Sequence, residues 1–277
     1  MSARRNAALA LLGGVSARIA VAAAVAGSAH PLGAPWRRTN YAGRPVSLLG
    51  GPALAATATA TAVLGAPAGA RTAAAVVGLV SGAVGGYDDL AGARPEQARD
   101  KGLAGHLAAL RAGRVSAGAV KVAGIGAAAA VAALLTRRGR GVGAVCDGVL
   151  TTGLVAGTAN LLNLLDLRPG RAGKVAALAA VAGLGGPDGA LMAGPLGATL
   201  GTLPFDLGER VMLGDCGANA IGALVGLRMA RISGRGARTG LLTGVVGLTL
   251  ASEKVSFTKV IEATPGLREL DRLGRRP

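Results

Sequence analysis

An all-α, polytopic membrane bundle of about nine transmembrane helices is predicted by three observations. About half of the 277 residues are hydrophobic, yet only 5 are aromatic. A soluble core of this size would bury more large rings. Ala, Gly, Leu and Val carry the hydrophobicity instead, which suits close packing of helices through small side chains. The 47 glycines would weaken helices in water. In lipid the backbone has few alternatives to helix, so they are tolerated. Lastly, the apolar runs are separated by charged loops.

The runs map in order to residues 7–26, 46–66, 70–87, 117–136, 142–165, 174–190, 191–207, 216–232 and 238–252. Together they form a transmembrane bundle over 1–252, with 253–277 as a basic cytoplasmic C-terminal tail. The first run follows Arg4 and Arg5 and precedes "AGSA". A signal peptide has a similar layout, but the run is long enough to span, and an uncleaved helix is the reading adopted. Only "GGPDGA" separates the sixth and seventh runs.

A formal charge of +16 fits loops that face the cytoplasm and anionic lipid. The basic residues are scattered among apolar spans without a nucleic-acid motif, so nucleic acid is excluded as a partner. Cys146 and Cys216 have no metal-binding spacing and suggest no disulfide framework. The loops 27–45, 88–116, 166–173, 208–215 and 253–277 fall on one membrane face. They hold most of the Lys and Arg and most of the Asp and Glu. The basic excess makes that face cytoplasmic, and the acids put the chemistry there. The localisation expected is a multi-pass protein of the inner or plasma membrane with a cytoplasmic active site.

Acids at the ends of apolar runs carry the functional signal, because charge is costly in hydrocarbon. Asp88 and Asp89 close "AVVGLVSGAVGGYDD". Adjacent carboxylates repel, and a cation relieves them. Mg²⁺ typically takes one or two carboxylates and completes its shell with water and phosphate oxygens. The alternative is a solvated loop start. In "TANLLNLLD", Asn160, Asn163 and Asp166 fall within a roughly 120° arc of a helix. Amides and a carboxylate can read a nucleobase or sugar, or simply join helices. Arg168, Arg171 and Lys174 follow, as a phosphate neighbourhood or as ordinary positive-inside charge. In "GDCGAN", Gly214 and Gly217 allow close backbone approach around Asp215, and a helix starting there would present its positive end to an anion. The loop "RDKGLAGHLAALRAGR", with Lys101 and His106, reads as an interfacial helix on anionic headgroups.

In order and spacing, "YDDLAG", "RDKGLAGH", "NLLNLLD" and "GDCGAN" resemble the polyprenyl-phosphate N-acetylhexosamine-1-phosphate transferases. That superfamily includes phospho-N-acetylmuramoyl-pentapeptide transferase and the UDP-GlcNAc:undecaprenyl-phosphate GlcNAc-1-phosphate transferases. The resemblance covers about residues 36–250. It implies Mg²⁺, with Mn²⁺ as a substitute, held by Asp88 and Asp215. It further implies Asp89 on the acceptor phosphate, Asn160, Asn163 and Asp166 at the nucleotide, and Lys101, Arg168, Arg171, Gly214 and Gly217 around the substrates. The implied partners are a polyprenyl phosphate such as undecaprenyl phosphate and a UDP-sugar, with a homodimer left open. The implied reaction moves a sugar-1-phosphate to the lipid and releases UMP, as in cell wall biogenesis.

This chain departs from the family in two places. Only His30 and His106 are present, so the late histidine motif is missing, and "LRPGRAG" lacks the family's second Asp. Two other readings stand beside the transferase: a non-catalytic relative that binds lipid phosphate, and a Mg²⁺-dependent membrane prenyltransferase. The second would need a D-x-x-x-D repeat, which is absent near Asp88 and Asp166.

Overall fold

Runs of Ala, Leu and Val leave the backbone one economical way to satisfy its hydrogen bonds, and each apolar run is helical. The computed structural model describes residues 3–91, 111, 113, 116–137, 139–232 and 234–276. In chain order the helices are α1 (Ala3–Gly27), α2 (Gly50–Gly65), α3 (Arg71–Ala91), α4 (Ala117–Leu135), α5 (Val142–Leu165), α6 (Arg171–Ala182), α7 (Ala190–Leu207), α8 (Gly214–Ala230), α9 (Arg235–Lys254), α10 (Phe257–Ala263) and α11 (Leu267–Arg272). Local chemistry sets the boundaries. Ser116 caps α4 by accepting from the Ala119 amide. Pro67 stops the chain after α2, and Gly170, at φ 72°, turns it into α6.

Among the described residues four segments, rather than nine, are long and apolar enough to cross a membrane: Ala3–Gly27, Ala68–Ala91, Ala117–Leu135 and Val142–Leu165. By length and composition they fit a multi-pass membrane protein. The expected count fails because helix and span are different requirements. At 1.5 Å per residue, α2 with 16 residues, α6 with 12 and α8 with 17 reach about 24, 18 and 26 Å, short of a ~30 Å core. Pro195 and Pro204 interrupt the apolar length of α7, and α9 carries Arg235, Arg238, Glu253 and Lys254. The sixth run also ends early, since α6 stops at Ala182 and 183–189 is a loop.

Residues 46–49 are a second correction, because the run expected to span from 46 begins as strand. β1 (Arg37–Thr39) pairs antiparallel with β2 (Pro45–Ser47), and Ser47 bridges in parallel to Val211. The Asn40 carboxamide folds the turn by accepting from the Ala42 and Arg44 amides at 2.9 and 3.0 Å. Its nitrogen donates to buried Glu209 at 2.6 Å. The hairpin thereby fastens the approach to α2 onto the segment that leads into α8.

The main core cluster is mostly Ala, Val and Leu, with Leu54, Val77, Leu162, Met192 and Leu224 as its larger members, and smaller clusters such as Val21, Phe205 and Val211 lie beside it. Small residues let backbones meet. A Cβ on Gly197 would overlap the Ala10 carbonyl, and one on Gly201 the Gly14 carbonyl, so α1 and α7 touch main chain to main chain. At the other flank α9 packs on α5 with only Val245 buried. A Cβ on its Gly240, Gly244 or Gly247 would meet no other part of the described structure within 4 Å.

Within 253–277, separated in the sequence as a basic tail, residues 257–276 fold back on the bundle. Arg171 grips Asp271 with two bonds of 2.8 and 3.1 Å, and Lys174 donates to the Leu270 and Asp271 carbonyls. Arg275 pairs with Asp271 at 2.7 Å and donates to the Pro169 carbonyl.

Candidate functional site

Three helices that are distant in sequence bring their polar residues to one end of the bundle. α3 arrives there with Asp88 and Asp89, α4 leaves from it with Lys121, and α8 starts in it with Asp215. A Cβ on Gly85 would overlap the Asp215 carbonyl, so α3 can approach α8 this closely only without a side chain there. Gly214 adopts φ +58° next to the Asp89 carboxylate, a turn that favours glycine.

The two adjacent acids point to different partners, about 100° apart on the helix. Asp89 accepts from the Asp215 and Cys216 amides, both at 3.0 Å, and so caps the exposed N–H groups of α8. Arg38 donates to the Asp89 carbonyl. Asp88 Oδ2 lies 2.7 Å from Lys121 Nζ, and the same ammonium is bonded to Asp215 Oδ2. Asn163, at the end of α5, completes the group. With its amide turned to suit its neighbours, it donates to Asp215 Oδ1 at 2.7 Å and accepts from Lys121 Nζ at 3.2 Å. The side chains of Asp88, Lys121 and Asp215 retain 16, 16 and 24% of their exposure, so the cluster opens to one side.

Asp166 caps the end of α5 behind this group. It is 8% exposed, faces the Gly214 amide, and leaves Oδ2 without a hydrogen bond among the described residues. Burial pushes its carboxyl well above the ordinary carboxylate range, and the charges of Asp206, Asp215 and Asp89 add to that. Asp206, 1% exposed, accepts from the Gly170 amide at 3.1 Å.

Several expected contributors stand elsewhere. Asn160 is exposed on the outer side of α5, a turn away from Asn163. Arg168 stacks on Tyr41, 3.9 Å from the ring centroid, and reaches Glu262 at 3.8 Å. Arg171 is engaged with the C-terminal segment. It is 3% exposed and its guanidinium is taken up by Asp271 and by Thr258 Oγ1 at 2.9 Å. Gly217 serves packing, since a Cβ there would lie 2.9 Å from Gly51 Cα. Lys101 and His106 lie outside the described residues.

Two residues were missed in the sequence. Lys121 was the one charge inside the run 117–136, and an ionisable residue within an apolar span is itself a functional signal. Asp206 sits at the end of the run 191–207 and repeats the placement of the other acids.

Chemically, two carboxylates meet on one ammonium, so the trio carries an excess negative charge. Asp88 and Asp215 already share a cationic centre, and that arrangement fits a divalent ion. Among the described residues no three His, Cys, Asp or Glu side chains form a metal cage. Mg²⁺ does not need one, because it usually retains water and takes phosphate oxygens. Beside the acids, a groove of about 500 Å³ runs between α2 and α3, lined by Trp36, Gly82, Gly86, Tyr87, Leu90 and Cys216. No family model matches the chain, and no curated protein matches it.

Proposed function

We propose that the protein is a membrane phosphoglycosyl transferase of the polyprenyl-phosphate N-acetylhexosamine-1-phosphate transferase type. It would move a sugar-1-phosphate from a UDP-sugar to a polyprenyl phosphate and release UMP. The observation that carries this reading is the Asp88–Lys121–Asp215 group, built from three helices and open on one side. Two phosphate anions must approach one another in such a reaction, and fixed charge at the contact is the main help a protein can offer. Lys121 supplies a positive charge held in place by two carboxylates and Asn163. Asp89 keeps the N-terminus of α8 ordered with its positive end toward the site. Asp88 and Asp215 would hold Mg²⁺, which when bound neutralises phosphate oxygens on donor and leaving group. The groove beside Tyr87 and Cys216 suits the first isoprene units of the lipid, since it is apolar and ends next to Asp88 and Asp215. The basic loops at this end favour the cytoplasmic face.

The reading is tested with purified protein, undecaprenyl phosphate and a panel of radiolabelled UDP-sugars, with and without Mg²⁺. A Mg²⁺-dependent labelled lipid is expected. One observation favours a second reading, a non-catalytic binder of lipid phosphate: Lys121 already satisfies both acids. Retention of undecaprenyl phosphate without turnover of any donor would select it.

A further inference from the structure

The end of the bundle opposite the acids carries a charged cluster of its own. α4 and α8 finish there, at Leu135 and Ala230, while α5 and α9 begin there, at Val142 and Arg235. Between them lies a cavity of about 170 Å³ whose polar lining is Thr136, Arg137, Asp147, Thr151, Arg231 and Arg238. Asp147 is shared by Arg235, at 2.9 and 3.1 Å, and Arg238, at 2.8 Å. Arg231 pairs with Asp188 at 2.7 Å. Four guanidiniums thus face two carboxylates. Arg238 Nε is buried and makes no hydrogen bond among the described residues, which is a cost unless an acceptor arrives.

The cavity continues into an apolar groove. A second space of about 580 Å³ lies along α4 and α5 and shares Ala133, Arg137, Ala144 and Gly148 with the first. Its walls are Ala130, Leu134, Val145, Val149, Thr152 and Gly153. Leu134, Val145 and Val149 are exposed on two of the candidate membrane spans. A cationic pocket that opens into a lipid-facing apolar channel has the polarity of an anionic amphiphile. Guanidinium suits phosphate because its planar fork matches two oxygens.

We propose that this end binds an anionic phospholipid, with its phosphate between Arg137, Arg231 and Arg238 and an acyl chain in the α4–α5 groove. The site lies at the other end of the bundle from Asp88 and Asp215, and the proposal does not depend on the transferase reading. Free phosphate would satisfy the guanidiniums alone, whereas the lipid also fills the groove.

Native mass spectrometry of the full chain in detergent, offered phosphatidylglycerol or phosphatidylcholine in equal amounts, tests this. Preferential retention of phosphatidylglycerol is expected. Arg137→Gln should reduce that preference by about tenfold, the effect of one charge-assisted hydrogen bond. Arg137→Gln with Arg238→Gln should erase it and leave phosphatidylcholine retention unchanged. Val149→Trp keeps every charge but fills the groove, and should also lower phosphatidylglycerol retention. Equal retention of the two lipids by the wild type would overturn the proposal, as would a preference untouched by the double variant. If soluble glycerol 3-phosphate competes as well as the intact lipid and Val149→Trp has no effect, the groove holds no chain and the lipid assignment is rejected.

Discussion

Asp89 and Asp215 are joined through the backbone: the Asp89 carboxylate accepts the Asp215 amide at 3.0 Å while the Asp215 side chain turns to Lys121. One acid therefore positions the other. Asp89→Ala should remove an anionic cap from two amides and cost roughly 1–2 kcal/mol, the range for loss of a helix cap. Asp89→Asn, which keeps one acceptor, should cost less. Thermal unfolding of both variants in detergent measures the order, and equal stability of Ala and wild type would reject the capping role.

Asp215→Asn should abolish sugar-phosphate transfer while the protein still folds. The exchange keeps the size and the bond to Asn163, but removes the negative charge shared with Lys121. A loss of several kcal/mol in transition-state stabilisation implies a rate about 10³-fold lower or more. Turnover in washed membranes is compared with size-exclusion behaviour. Wild-type turnover in the Asn variant sinks Asp215 as a catalytic group.

Lys121→Met leaves Asp88 and Asp215 facing one another without the ammonium between them. Unfolding temperature should fall, and millimolar Mg²⁺ should recover more stability in this variant than in the wild type. That difference reads out cation affinity at the two carboxylates without reference to activity. An identical Mg²⁺ response in both proteins counts against a shared cation site.

The docked C-terminal segment should loosen in acid. Burial raises the Asp271 pKa, but hydrogen bonding and charge from Arg171, with Arg275 and Lys174, outweigh it and hold the carboxyl below its ordinary value of about 3.8. A depressed folded pKa contributes stability above the unfolded value, and this is lost as pH falls through the folded one. Proteolysis within 253–277 should therefore rise only below about pH 4, where Asp271 begins to protonate in the unfolded chain. Asp271→Asn should be cleaved readily at neutral pH.

Membrane orientation can be read from the native cysteines. Cys146 is exposed, near the start of α5 at the end opposite the acids, and Cys216 is buried. A membrane-impermeant maleimide should label Cys146 from outside intact cells. Labelling only after the membrane is opened would invert the topology and take the acids off the cytoplasmic face.

The helices were legible because apolar runs in lipid have one backbone solution, so all nine runs locate a helix. The number of spans was not, since composition does not show that α2, α6 and α8 are too short. Strand β2 was hidden because Val46 and Ser47 read as the front of an apolar run, with Pro45 as the end of the loop before it. Asp88, Asp89, Asn163 and Asp215 were identifiable as polar groups at the ends of apolar runs, and the structure gathers them. Arg168 and Arg171 were identified by charge alone. Charge does not reveal the partners Tyr41 and Asp271, which lie a hundred residues or more away in sequence for each.

The main-chain contacts between α1 and α7 have a mechanical consequence. Two helices whose backbones touch at successive glycines cannot slide without collision, so that flank moves as one solid piece. α9 has the opposite character, with open glycines along its length and Val245 as its buried anchor. Stiffness is thus graded across the bundle, and thermal fluctuation will concentrate in α9. Amide hydrogens of α9 should exchange first, and those of α7 last.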